Sequence, residues 1–165
     1  MVHKQLQHTV WFIGLVLLQV LILNNIHLLG YATPFLYIYF IIRYDTSISR
    51  NGLMLLAFAI GLLVDIFSNT PGMNAAATVF TAFLRPVFLR LFTPRDMGDD
   101  FVPSLKTLGT SSFLKYSFVT IFIHHLVLYT MMFFSFADLS LLFLKTIAST
   151  VLTIICIIGI EWGRK

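Results

Sequence analysis

Asp65, Lys145 and the pair His124-His125 are the residues of this sequence whose chemistry sits worst with their surroundings. Each lies in a long apolar stretch, and an ionisable group at membrane depth is costly enough to mark a functional candidate. Asp65 falls in GLLVDIFSNTPG, near the end of one stretch, and Lys145 lies about two turns into another from the same side. At a helical rise of about 1.5 Å per residue, both belong to one leaflet. They are expected to pair, or to share a polar network, across the interior. The plainer role for such a pair is to fix helix register without doing chemistry. Neighbours on a helix point about 100° apart, so His124 and His125 cannot both line one small site or chelate one ion. One is expected to hydrogen-bond to a partner helix while the other meets a cavity or a second protein, and packing is the plainer reading of both. The sequence has no nucleophile elbow, no zinc-protease helix motif and no phosphate-cradling glycine loop. A binding or scaffolding protein is therefore expected, with no catalytic residue, cofactor or metal.

The elements that must position these residues are transmembrane helices. Hydrophobic residues make up 58% of the chain, charged residues 11%, and the mean hydropathy is +0.90. A helix needs about 20 mostly apolar residues to cross a hydrocarbon core. Six stretches approach that length, at 9–24, 31–42, 52–67, 74–92, 113–136 and 139–160, within one polytopic domain covering 1–165. The expected fold is an all-α bundle of six transmembrane helices. Pro34 suits the first turn of the second span, and Pro86 is expected to kink or divide the fourth.

Basic residues set the orientation. Lys4 precedes the first span, and Arg43 and Arg50 lie between the second and third. Arg85, Arg90, Arg95, Lys106 and Lys115 surround the connection from the fourth to the fifth, and Arg164 and Lys165 follow the sixth. The connections 25–30, 68–73 and 137–138 hold no Lys or Arg. Both termini are thus expected in the cytoplasm. The first span, basic at its start, is read as a retained helix rather than a secretory signal, since no small-x-small cleavage site follows it.

The remaining charged residues have plain assignments on this layout. Lys115 and Glu161 come to the cytoplasmic ends of adjacent antiparallel spans and suit an interfacial ion pair worth under about 1 kcal/mol. Arg85 and Arg90 suit snorkelling to anionic lipid headgroups. The 93–111 loop, TPRDMGDDFVPSLKTLGTS, contains Asp96, Asp99 and Asp100 without a matching His or Glu. Its carboxylates read as solvated loop residues in preference to a metal site, and the loop itself is a candidate partner surface. Cys156, the single cysteine, reads as a small buried apolar side chain. The net charge of +4 follows from topology, and no basic surface with interleaved aromatics suggests nucleic acid.

At GLLVDIFSNTPGMNAAATVF the chain resembles the MreD family, the membrane subunit of the bacterial rod-shape (elongation) complex. The features that carry the resemblance are Gly61, the apolar residues 62–64, Asp65, and the polar turn with Ser68, Asn69, Pro71 and Gly72. His124-His125 and the DDFVPS loop also look like versions of that family from Bacteroidetes-type bacteria. One departure is Pro34-Phe35, where many members have a polar residue after the proline. The resemblance implies a non-enzyme working in the inner membrane with MreC, the actin-like MreB filament, and the glycosyltransferase–transpeptidase pair that builds lateral peptidoglycan. It also implies a fold similar to substrate-binding subunits of energy-coupling-factor vitamin transporters. Gly61, Asp65, the turn, His124, His125 and Lys145 would then form a partner-binding or structural polar network. The run Ala75-Ala76-Ala77 would be a candidate close-approach surface. The rival class is a transport subunit of that vitamin-capturing type, which usually has a small-residue docking motif on its first span. VWFIGLVLLQVLIL has no such motif.

Overall fold

Apolar stretches in lipid fold as helices because the backbone finds no hydrogen-bond partner there except itself. The computed structural model describes residues 2–26, 28, 30–94, 97–98, 100–133 and 138–164, with side chains from residue 6 onward. It is helical, and among the described residues the only extended pairing is a single bridge between Leu28 and Ala32. Five helices are long and apolar enough to cross a membrane. They belong to α1 (Val2–Leu21), α3 (Arg50–Ser68), α4 (Met73–Phe92), α6 (Thr110–Met132) and α7 (Leu139–Gly163). Among the described residues two short α-helices, α2 (Ile38–Arg43) and α5 (Leu105–Leu108), and one 3-10 turn, Leu23–Asn25, complete the set.

The second expected span is the exception. Of 31–42, only the part from Ile38 is helical, and Pro34 lies in non-helical chain ahead of α2 instead of in its first turn. The residue before a proline is pushed away from the helical region, and proline itself donates nothing. Gly30, at φ +77°, turns the chain just before it. Pro86 does not divide α4, which stays continuous around it. The proline leaves the carbonyl of Ala82 without its helical donor. One residue further on, Arg50 donates to the carbonyl of Phe83 at 2.7 and 3.1 Å, with its guanidinium over the Phe83 ring.

The contacts fix the course of the chain. His8, in the first half of α1, stacks on Tyr44 just past α2, and Trp11 midway along α1 meets Tyr39 and Arg164, while Asn24, just past α1, donates to Ser68 at the end of α3. α1 and α3 therefore run in the same direction, and the chain between them returns to the end where α1 begins. α3 packs on α4, α4 on α6 and α6 on α7. The returning segment is sealed within, with Tyr37, Ile38, Ile41 and Ile42 fully buried.

Polarity is distributed with apolar side chains outward. Leu55, Ile66, Leu91, Leu144 and Ile155 are exposed. The buried faces hold Asn74, Thr78, Thr81 and Arg85 on α4, Thr120, His124 and His125 on α6, and Thr146, Ser149, Thr150 and Thr153 on α7. Bundles in lipid associate through small and hydrogen-bonding side chains, so this arrangement suits a membrane solvent. Thr81, Thr120, Thr146, Thr150 and Thr153 each donate to the carbonyl four residues earlier, which leaves their hydroxyl lone pairs free to accept.

Candidate functional site

Two built features dominate the interior, and both handle backbone groups that no helix satisfies. The first is the turn between α3 and α4. Gly61 is the close-approach point: a Cβ there would stand 2.4 Å from the Thr78 hydroxyl and 2.5 Å from the Ala75 Cα. With the helices this near, Asp65 reaches the amino-terminal turn of α4. Its carboxylate accepts from the N–H groups of Asn74 at 3.0 Å and Ala75 at 2.8 Å. It also accepts from the Thr70 hydroxyl at 2.7 Å and the Asn74 amide at 2.9 Å. Negative charge at a helix amino terminus satisfies orphan donors and complements the helix dipole. Asn69 (φ +54°) and Gly72 (φ +75°) supply the left-handed residues that let the chain reverse within so few positions. Ser68 accepts from Asn24 at 2.6 Å, and Pro71 is exposed at the tip.

The second feature is the clasp around residues 33–43. The N–H groups of Thr33 and Phe35 donate to the hydroxyls of Ser149 and Thr153, both at 3.1 Å. Gln19 on α1 acts as a substitute peptide. Its oxygen accepts from the Leu36 N–H at 2.8 Å, and its amide donates to the Pro34 carbonyl at 3.0 Å and to Asn24 at 2.9 Å. Irregular backbone at membrane depth persists only where protein satisfies it in this way. At the far end, Arg85 and Tyr116 take up carbonyls released by the end of α2. Arg85 donates to the carbonyls of Ile42 and Tyr44, and Tyr116 to that of Ile42 at 3.1 Å. Glu161 pairs with Arg43, accepts from the Tyr39 hydroxyl, and accepts from the Leu105 N–H at 3.2 Å. The loop following α4 is pinned nearby, where Thr46 and Phe101 exchange hydrogen bonds.

A directed chain of hydrogen bonds joins the two features. The Asn74 amide donates to Asp65 and Thr70, so its oxygen is the acceptor for the Tyr37 hydroxyl at 2.7 Å. The Tyr37 oxygen therefore accepts a hydrogen bond from His124 Nε2–H at 3.0 Å, which assigns His124 the Nε2–H tautomer. By the same logic Thr150 donates to the Thr146 carbonyl and accepts from His125 Nδ1 at 3.0 Å. The two imidazoles are thus opposite tautomers, each left with one buried nitrogen lone pair, His124 Nδ1 and His125 Nε2.

Several expectations from the sequence change here. Asp65 does not pair with Lys145, because the start of α4 occupies its carboxylate; the Lys145 ammonium instead stands 5.1 Å from the Phe133 ring centroid. Glu161 does not pair with Lys115, which is exposed, because Arg43 and Tyr39 hold it from the other side. Arg85 is buried on carbonyls and does not reach headgroups, whereas Arg90 is exposed. Neither His124 nor His125 meets a cavity or an outside partner, since both are buried against Phe35. Ala75 and Ala77 serve internal packing, and only Ala76 of that run faces outward. Asp96 and Asp99 lie outside the described residues, and no group of metal-ligating side chains occurs among the described ones.

Gln19, Tyr37 and the α7 hydroxyls were not singled out in the sequence, and Arg43 entered only as a marker of orientation. A signal existed for the last of these, because Thr146, Ser149, Thr150 and Thr153 follow the i, i+3, i+4, i+7 spacing of one helix face. No family model, curated protein or solved structure matches the chain.

Proposed function

We propose that this chain is a non-catalytic, multi-pass membrane subunit of the MreD kind, acting in the bacterial elongation complex. The observation that carries the reading is the α3–α4 turn. The residues on which the resemblance rests fold into one unit, with Gly61 against Ala75 and the Asp65 carboxylate on the start of α4. On this reading the protein crosses the bacterial inner membrane six times, the second time by the segment that holds the clasp, 31–43, and keeps both termini in the cytoplasm. MreC is the direct partner, engaged near the turn, with MreB and the glycosyltransferase–transpeptidase pair reached directly or through it. Anionic lipid at Arg90 and partner contacts by the 93–111 loop complete the proposal.

Depletion in the native host, with cell outline and new wall insertion imaged together, is the test. Rounded cells with dispersed lateral insertion are expected. An Asp65→Ala protein that accumulates normally, binds MreC and supports wild-type shape would remove the turn from the mechanism. A second reading, capture of a small ligand for a transport partner, is favoured by a cavity of about 460 Å³ at the turn end of the bundle. Unchanged shape together with growth that depends on an added vitamin would favour it.

A further inference from the structure

We infer that the cavity at the turn end is a binding site for a phosphate group carried on an apolar molecule, with the Lys145 ammonium as its counter-charge. This inference stands apart from membership in any complex and rests on three observations.

The first is the isolation of the charge. Lys145 lines the cavity from α7, half-buried, and its single described partner is the Phe133 ring. An ammonium at membrane depth ordinarily faces a carboxylate or a carbonyl. Asp65, the carboxylate expected to pair with it, spends its oxygens on four donors from Thr70, Asn74 and Ala75.

The second is the rigidity of the wall. Asn24 is held by Gln19 and Ser68, Asn74 by Asp65, Thr70 and Tyr37, and Tyr129 by Ser149. These polar groups are already bonded to one another. They form a fixed polar rim, with Lys145 as the one charged side chain in it among the described residues. A lysine in such a setting recognises phosphate as a point charge, without the forked geometry that selects carboxylates for arginine.

The third is the apolar part of the same wall. Val20, Phe67 and Met132 line the cavity beside the polar rim, and Phe67 is exposed on the outer, lipid-facing surface. An occupant that fills both halves has a charged head and a hydrocarbon portion.

The test uses the full chain purified in a neutral maltoside detergent. Native mass spectrometry and thermal shift would be read with dioctanoyl phosphatidylglycerol, dioctanoyl phosphatidylcholine and inorganic phosphate as probes. Phosphatidylglycerol is expected to bind and stabilise. Lys145→Met should weaken it roughly ten- to hundredfold, the value of one charge-assisted contact, while Lys145→Arg retains most of it. Lys115→Met, exposed near the start of α6 at the opposite end, should leave the affinity unchanged. Equal saturation by inorganic phosphate would show that the hydrocarbon portion is dispensable and overturn the choice of an apolar carrier. Equal binding of phosphatidylcholine, unaltered affinity in Lys145→Met, or no binding of either anionic probe would overturn the inference. Among the described residues the Phe133 ring is the contact Lys145 makes, so Lys145→Met should keep the wild-type melting temperature without ligand, which separates lost binding from lost folding.

Discussion

The α3–α4 turn and the clasped segment before α2 both leave helical backbone inside a bundle that is otherwise helix, and they satisfy the freed groups from very different distances along the chain. At the turn every partner of Asp65 lies within ten positions of it, from Thr70 to Ala75. At the clasp, Thr33 and Phe35 depend on Ser149 and Thr153, and Arg43 depends on Glu161. A local solution forms as soon as two adjacent helices meet. A distant one needs α1, α6 and α7 in place first, so the turn should be the tougher feature and the clasp the more adjustable one.

That contrast can be broken or sharpened by substitution, beginning with the largest expected effect. Gly61→Val forces the α3 backbone off Ala75 and should cost on the order of 3 kcal/mol or more, read as loss of a monodisperse peak in detergent. Asp65→Ala strands two buried N–H groups at the start of α4 and should lower stability by about 3 kcal/mol in a thermal melt. If it costs less than the clasp substitutions, the turn is not the tougher feature. Gln19→Met keeps the packing volume but removes the substitute peptide from Pro34 and Leu36; roughly 2 kcal/mol is expected. Backbone amide exchange should then rise at Leu36 and stay unchanged at Ala75. Tyr37→Phe cuts the link between the two regions at a cost of about 1 kcal/mol. In a double-mutant cycle with Asp65→Ala, a coupling above about 0.5 kcal/mol would show that the link transmits. Thr153→Val should be the mildest, near 0.6 kcal/mol, the usual size of one interhelical hydrogen bond in lipid.

The same contrast explains what could be read from the sequence. Gly61, Asp65 and the Ser68–Gly72 stretch stood out because their partners are their neighbours, and a turn written locally leaves a local pattern. The five long helices were legible for a similar reason, since length and hydropathy are properties of a window. The second span misled because 31–42 is apolar enough to look like a helix. Its backbone instead donates to hydroxyls more than a hundred residues away. Arg85 misled in the opposite way: an arginine near the end of a span looks like a headgroup ligand, and only α2, folded beside it, offers carbonyls instead. Asp65 and Lys145 were expected to attract each other on charge alone, before the donors at the start of α4 could be counted. Charge complementarity lost there to hydrogen-bond geometry.

The bonds from His124 through Tyr37 and Asn74 to Asp65 all point one way, each donor aimed toward the carboxylate. A row of like-oriented dipoles has a sign, and a fixed anion at one end decides which sign it takes. Replacing Asp65 by asparagine would supply a terminus that can donate as well as accept, so the row would lose its reason to prefer one orientation. The imidazole at the other end, in the middle of the bundle, would then be free to exchange one tautomer for the other. Nitrogen-15 shifts of His124 would report that loss of direction across the width of the protein.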